Sequence, residues 1–484
     1  MARLALLRID APPAVLLRLP QAFPERYPVL FDSVSGGPLA GHSVLVCATD
    51  EALWIDHAGQ LQARGAGPEA LLAGAAAAAA PPRFLATLDA WWRQLAERHS
   101  GPLAAGTGPF AGGFAVFLGY ETAAELEPRL RGRLPDPAES LRAFALRTPS
   151  ALVLDQRDGS LRAVTEEGPD AALRLQQMAS DVAAVRADAG AGSALAADPV
   201  YPAWEEDDPG EFLARVLEAQ ERIRDGDVYQ VNLSRGWSAR FEAAAQSNGL
   251  APLLYQRLRA ANPAPFAVWS RWGGMEILSS SPERLIRIDR DGGASTRPIA
   301  GTRPRDPQRD PERDAALARE LIANAKERAE HVMLIDLERN DLGRVCEAGS
   351  VRVSEFMCVE SYSHVHHIVS QVEGQLRPDV SPVAALAAVF PGGTITGCPK
   401  LRCMEIIAGL ETIGRGPYTG SIGLLGIDGS ADFNILIRTL SLCDGVLRLR
   451  AGAGIVADSV PERELEETRA KARGVLAALR PGAQ

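Results

Sequence analysis

Between residues 211 and 225, Phe212, Val216, Ala219 and Ile223 recur at helical spacing, which predicts a helix there. Asp225-Gly226-Asp227 then supplies a turn, and Val228-Tyr-Gln-Val-Asn-Leu233 predicts a strand. Residues 312–337 read as one long helix, 349–372 as paired strands around Val351, Val353, Phe356 and Val359, and 399–410 as a helix opened by Pro399. The last helix is expected to begin at Ser459, because Ser459-x-x-Glu462 has the form of a capping box with Pro461 in the first turn. Upstream, the apolar run Ser43-Val-Leu-Val-Cys47 and the Gly-rich residues 111–121 predict a strand-rich half. Gly74, six alanines and Pro81-Pro82 predict a helical turn followed by a break. Between residues 187 and 208 the chain turns to Ala, Gly, Asp and Pro, which reads as an exposed connector between an N-terminal region, 1–186, and a C-terminal region, 209–480. Helix and strand alternate in blocks without an internal repeat, so the expected class is α+β with mostly antiparallel sheet.

Composition narrows the function classes. With 51 Lys and Arg against 61 Asp and Glu, the net charge of −10 removes the broad positive field that nucleic-acid binding requires. Hydrophobic content of 46% and charged content of 23% are globular values. Arg3, Arg8 and Asp10 interrupt any apolar leader, and no apolar run reaches 18 residues, so neither a signal peptide nor a membrane span is expected. Six cysteines without a C-x-x-C pair read as reduced core thiols of a cytoplasmic protein.

Several clusters are candidates for chemistry. Glu464 and Glu467 lie three apart on one helix face with Lys471 a turn beyond, and Glu330 belongs to a second carboxylate-rich helix. Brought together they suit a hard cation; apart, they are two solvated helix faces, and spacing leaves both readings open. Gly452-Ala453-Gly454 reads as a small-residue turn at a strand end, either a backbone nest for a carboxylate or a plain tight turn. Residues 391–400, Pro-Gly-Gly-Thr-Ile-Thr-Gly-Cys-Pro-Lys, form an anion-receptive loop running into a helix, without the order of a Walker loop. His364 and His366 share one strand face and His367 the other, which favours polar-pocket or surface histidines over zinc. Glu283, after Ser279-Ser-Ser-Pro, is either a helix cap or a general acid.

Together, residues 281–285 (SPERL), 298–302 (PIAGT), 336–344 (DLERNDLGR), 363–367 (SHVHH), 392–400 (GGTITGCPK) and 452–459 (GAGIVADS) resemble the chorismate-utilising enzymes. The resemblance implies a large α/β sandwich with a central cleft between orthogonal, mostly antiparallel sheets, binding Mg²⁺ and chorismate. It makes Glu330 and Glu467 the Mg²⁺ ligands with Glu464 beside them. Arg438, Tyr418, Lys471 and the backbone of Gly452, Ala453 and Gly454 become receptors for the substrate carboxylates. Gly301 and Thr302 line the ring, with Thr396 and Gly397 on the facing loop. Glu283 becomes the general acid for the departing C4 hydroxyl, and His367 the family's catalytic histidine near the enolpyruvyl end. Gln230 stands where relatives that add water carry a lysine base; a neutral amide cannot deprotonate water, so an amine product from ammonia is expected.

Within the family, Tyr229-Gln-Val-Asn-Leu233 and the Gly-rich loop look like aminodeoxychorismate synthase component I, which makes 4-amino-4-deoxychorismate for 4-aminobenzoate and folate. Ala300 weighs the other way. That pattern has a lysine there which adds to the ring, whereas alanine matches anthranilate synthase component I, whose product leads to tryptophan. The resemblance therefore implies amination at C4 first, with anthranilate formation as the alternative. It further implies ammonia from a separate glutamine amidotransferase subunit, since the chain has no G-x-C-x-G elbow, and a separate aminodeoxychorismate lyase for the product. Asp32 and Ser33, with Pro265 and Phe266, resemble the two walls of a tryptophan pocket in relatives.

Overall fold

The computed structural model describes residues 4–35, 41–77, 83–98, 108–187, 202–242, 249–306, 308, 310–361 and 365–479. Among these residues the strands gather into two antiparallel sheets, one of 12 strands and one of 11. Alternating burial shows why the strands pair as they do. In Gln230–Arg240, Val231, Leu233, Arg235 and Trp237 turn inward on one face, while Gln230, Asn232 and Gly236 are less buried. Phe114–Leu118 is buried at every position, the pattern of a strand covered on both faces.

Both sheets are built from the two sides of the connector. In the larger sheet, Val29–Asp32 pairs with Phe266–Trp272 through Ala267 opposite Asp32 and Val268 opposite Phe31. In the smaller one, Phe114–Leu118 pairs with Ser421–Leu425. Val44, Val46, Val268 and Ile277 of the first sheet share one apolar cluster with Phe117, Phe144, Leu146 and Ile422 of the second, so the sheets pack face to face. Helices close the outer faces. Phe84–Arg98 lays Leu85, Leu88 and Trp91 on the smaller sheet, and Pro461–Ala478 lays Ala472 and Val475 on the larger. Most of the connector, residues 188–201, lies outside the described residues, as does His364. No helix among the described residues is long and apolar enough to cross a membrane.

Four expectations change. The helix expected over 312–337 is two helices, Pro311–Ala323 and Ala325–Gly343, because extended Asn324 accepts the amides of Lys326 and Glu327 at 3.0 and 3.1 Å and starts a new helix. The last helix runs from Pro461 with Val460 at its cap, and Ser459 Oγ instead accepts from the Val456 amide at 3.1 Å, so no capping box forms. Gly452, Ala453 and Gly454 are no turn: they lie within the strand Val446–Ile455, opposite Ser234, Leu233 and Asn232. Finally, Cys358 is exposed, unlike buried Cys346, Cys403 and Cys443, so the thiols are not uniformly core.

Candidate active site

Glu283 stands between the strands Met275–Ser281 and Arg284–Ile288, which rules out the helix-cap reading. Its backbone is pinned on both sides: its amide donates to Ser281 Oγ at 3.2 Å, and its carbonyl accepts from the Ile435 amide at 3.0 Å. The side chain is buried, and Oε1 has no hydrogen-bond partner. Burial pushes this carboxyl up to about 8; Glu338 adds to the rise, while the Thr394 hydroxyl and Arg438 oppose it. Glu283 is therefore a neutral acid at pH 7, able to donate a proton to a departing oxygen.

His367 lies on the strand Val365–Gln375. Its backbone pairs with Thr302, whose side chain lies outside the described residues, and its ring Nδ1 is 3.4 Å from the Gly301 carbonyl. Burial and Arg438 push the imidazole down to about 4, so it is neutral at physiological pH. Arg438 is thus the charge that Glu283 and His367 share. The other described histidines of this group are committed elsewhere. His366 bonds Asp314 at 3.0 Å and Ser361 at 2.7 Å, and His331 bonds Ser370 at 2.7 Å.

Other residues expected to receive substrate gather around the paired strands Gln230–Arg240 and Val446–Ile455. Gly454 packs on the Gln230 side-chain amide and Gly452 on the Tyr418 hydroxyl, so a Cβ at either position would collide with a group of the site. The two glycines thus serve by close approach within a strand, not as a nest. Lys471 Nζ donates to the Gly452 carbonyl at 2.8 Å and pairs with Glu467 at 2.8 Å. Gly397, at φ +127°, lies against the Gln230 backbone, and Thr396 Oγ1 donates to the Gly392 carbonyl at 3.0 Å, which ties the facing loop shut.

A buried network beneath Tyr418 escaped the sequence reading. The Arg415 guanidinium lies 4.8 Å from the Tyr120 ring and 5.8 Å from that of Tyr418. Arg415 donates to Glu411 at 2.7 and 3.0 Å, and Glu411 also accepts from Arg450 at 3.2 Å and from Ser234 at 2.9 Å. Burial alone would raise Glu411, but Arg415 and Arg450 hold it below the usual carboxylate range. The only trace in sequence is the i,i+4 spacing of Glu411 and Arg415. Glu411→Ala strands the buried Arg415 guanidinium and the half-buried one of Arg450 and is expected to cost about 3–5 kcal/mol of stability, read from urea unfolding at pH 7. Because the native carboxyl is held down, this contribution is full above the unfolded value near 4.5 and fades as pH falls below it.

Glu330, on the helix Ala325–Gly343, comes near Glu464 and Glu467, both on the helix Pro461–Ala478. Burial raises Glu330, and Glu327, Glu467 and Glu464 raise it further; burial and Glu467 likewise raise Glu464. Oxygen-only donors that repel one another suit a hard cation. Among the described residues, however, no three His, Cys, Asp or Glu groups are close enough to hold a metal ion by themselves. At the other candidate site, the paired strands Val29–Asp32 and Phe266–Trp272 and the residues just beyond their ends bring Asp32 and Ser33 near Pro265 and Phe266. Asp32 is fully engaged there, accepting from Ser43 at 2.6 Å, Arg259 at 2.6 Å and Tyr255 at 3.3 Å.

Residues 50–477 match the family model for chorismate binding enzymes. Anthranilate synthase component 1 of Acetivibrio thermocellus is 48% identical over 269 residues, 56% of this chain and 53% of that protein, so the match spans about half the relative's length. Anthranilate synthase component 1 of Streptomyces coelicolor is 42% identical over 388 residues, 78% of this chain and 74% of that protein. Among solved structures, anthranilate synthase component I from Streptococcus pneumoniae superposes with a TM-score of 0.72 at 29% identity, covering 92% of this chain and 94% of that one. The menaquinone-specific isochorismate synthase of Escherichia coli shares the fold, with a TM-score of 0.67 at 18% identity over 99% and 95% of the two chains. The family match takes in the whole smaller sheet, all of the larger one but Leu4–Ile9, Val29–Asp32 and His42–Cys47, and every residue of the site from Gln230 to Lys471, and on that extent the chain belongs to the chorismate binding enzymes.

Proposed function

We propose that the chain is the catalytic component of an anthranilate synthase, converting chorismate and ammonia to anthranilate, pyruvate and water. The observation that carries this reading is the 42% identity to the Streptomyces coelicolor anthranilate synthase component 1 over 78% of the chain. Ala300 agrees with it. The reading replaces amination at C4 as the first choice. The Gly-rich loop that favoured C4 has packing reasons for its glycines: Gly392 abuts Ile435 and Leu285, Gly393 abuts Leu337, and Gly397 abuts the Gln230 backbone. Close packing of that kind says nothing about which ring carbon is aminated.

In this reading Lys471, Tyr418 and Arg438 receive the substrate carboxylates, and Glu283 gives its proton to the C4 oxygen as it leaves. Ammonia enters at C2, needing no base from neutral Gln230. The neutral His367 imidazole stands at the enolpyruvyl end, where pyruvate is eliminated. Glu330, Glu464 and Glu467 would hold Mg²⁺, completed by oxygens of the substrate, and the ion would neutralise carboxylate charge. A separate glutamine amidotransferase subunit supplies ammonia in the cell, and no separate lyase is needed. Incubating the purified chain with chorismate, Mg²⁺ and an ammonium salt should yield anthranilate and pyruvate in equal amounts, read by fluorescence and mass. Accumulation of 4-amino-4-deoxychorismate without pyruvate would overturn this reading in favour of C4 amination.

A further inference from the structure

The Gly-rich run 111–121 ends on Tyr120 and Glu121, which follow the strand Phe114–Leu118 in a single 3-10 turn, Tyr120–Thr122. Both side chains are buried, and both face a turn of the C-terminal region. The Arg415 amide donates to Glu121 Oε1 at 2.6 Å, and the Gly416 amide donates to Oε1 and Oε2 at 3.2 and 3.1 Å. The Tyr120 amide in turn donates to the Gly416 carbonyl at 2.9 Å, and the Gly414 amide donates to the Asp136 carbonyl at 3.0 Å. Three consecutive amides, 414 to 416, thus end on acceptors of the N-terminal region. Glu139 closes the other side, because a Cβ on Gly416, at φ +58°, would collide with its carboxyl.

The gripped turn leads directly to Tyr418. The Tyr418 amide donates to the Arg415 carbonyl at 3.1 Å, and its hydroxyl lies against Gly452 of the strand Val446–Ile455. Thr419 follows at φ +63°, a left-handed conformation that a β-branched residue keeps only where its surroundings impose it. Its amide is fixed by the Leu436 carbonyl at 2.8 Å. The contacts of Glu121 with the turn are to backbone amides, so what they fix is the path of the chain that carries the Tyr418 ring.

We propose that Glu121 is a positioning residue for substrate binding: it holds residues 414–418 so that the Tyr418 hydroxyl stands where a chorismate carboxylate is received. The inference rests on the reading of Tyr418 as a carboxylate receptor. The N-terminal region thereby sets the geometry of a binding group 297 positions further along the chain without touching substrate itself. Glu121→Gln keeps the shape of the side chain and replaces one carboxyl oxygen by an NH2 group. That group faces the amide of Arg415 or Gly416 donor to donor, so the turn loses an acceptor and shifts away from it.

The test is a double-mutant cycle between Glu121→Gln and Tyr418→Phe in the full chain, with chorismate varied at saturating Mg²⁺ and ammonium. A carboxylate receptor binds ground state and transition state alike, so each single variant should raise the KM for chorismate about 10-fold while kcat stays within 2-fold of wild type. In the Tyr418→Phe background Glu121→Gln should add less than 2-fold to KM, because the group it positions is already gone. Loss of fold alone would lower kcat through the active fraction and leave KM and the cycle unmoved. Should Glu121→Gln fail to fold, Glu121→Asp takes its place in the cycle with the same expected split, since it keeps both oxygens but sets them back by one methylene. An unchanged KM in the Glu121 variant, or the same multiplication of KM in both backgrounds, overturns the positioning role alone. A Tyr418→Phe chain with wild-type KM overturns the reading of Tyr418 as a receptor, and the positioning role with it.

Discussion

Glu283→Gln is expected to lower kcat by at least ~10²-fold with little change in KM, since general acids typically contribute ~10² to 10⁴. The side chain is buried beside Arg438 and Thr394, and glutamine fills the same space. What it lacks is the proton. Hydroxide is a poor leaving group, so the C4 oxygen must be protonated as it departs. The pH profile gives an independent check. Burial pushes Glu283 up to about 8, so the acid is loaded below that value and kcat/KM of the wild type should fall as pH rises through it. The variant should lose this alkaline limb along with its rate. A change confined to KM would make Glu283 a binding residue.

Glu330→Gln and Glu467→Gln are each expected to abolish turnover without unfolding the chain, and EDTA should mimic both. Each removes one of three carboxylates that would hold Mg²⁺ against an anionic substrate. A second readout separates metal binding from damage. Glu327, Glu464 and Glu467 all act against the charge on Glu330, so without metal its neutralisation relieves repulsion and should raise the melting temperature of Glu330→Gln slightly. Added Mg²⁺ should stabilise the wild type and leave both variants unmoved, because an ion bound only by the native state stabilises it by mass action. Near-normal activity of either variant in millimolar Mg²⁺ would dismiss the metal assignment.

Residues whose role follows from local chemistry were legible one by one. Periodic apolar positions mark the helix Pro209–Arg224 and the strand Gln230–Arg240, because burial of one face imposes the period on any sequence that forms them. Ordered motifs marked Glu283, His367 and the Glu464–Glu467 pair, and the α+β sandwich with them. Interactions between distant segments left no such trace. Asn324 is an unremarkable polar residue until its side chain caps a helix. Gly452 and Gly454 look like a turn because glycine permits one, and only Tyr418 and Gln230 packed against them show that space was the requirement. Ser459 has the spacing of a cap, yet its hydroxyl is taken by the Val456 amide. The network of Ser234, Glu411, Arg415 and Arg450 joins residues up to 216 positions apart, and charge buried in company has no period along a chain. Spacing could nominate single groups for this chemistry; packing in three dimensions set their protonation, their partners and the close approaches around them.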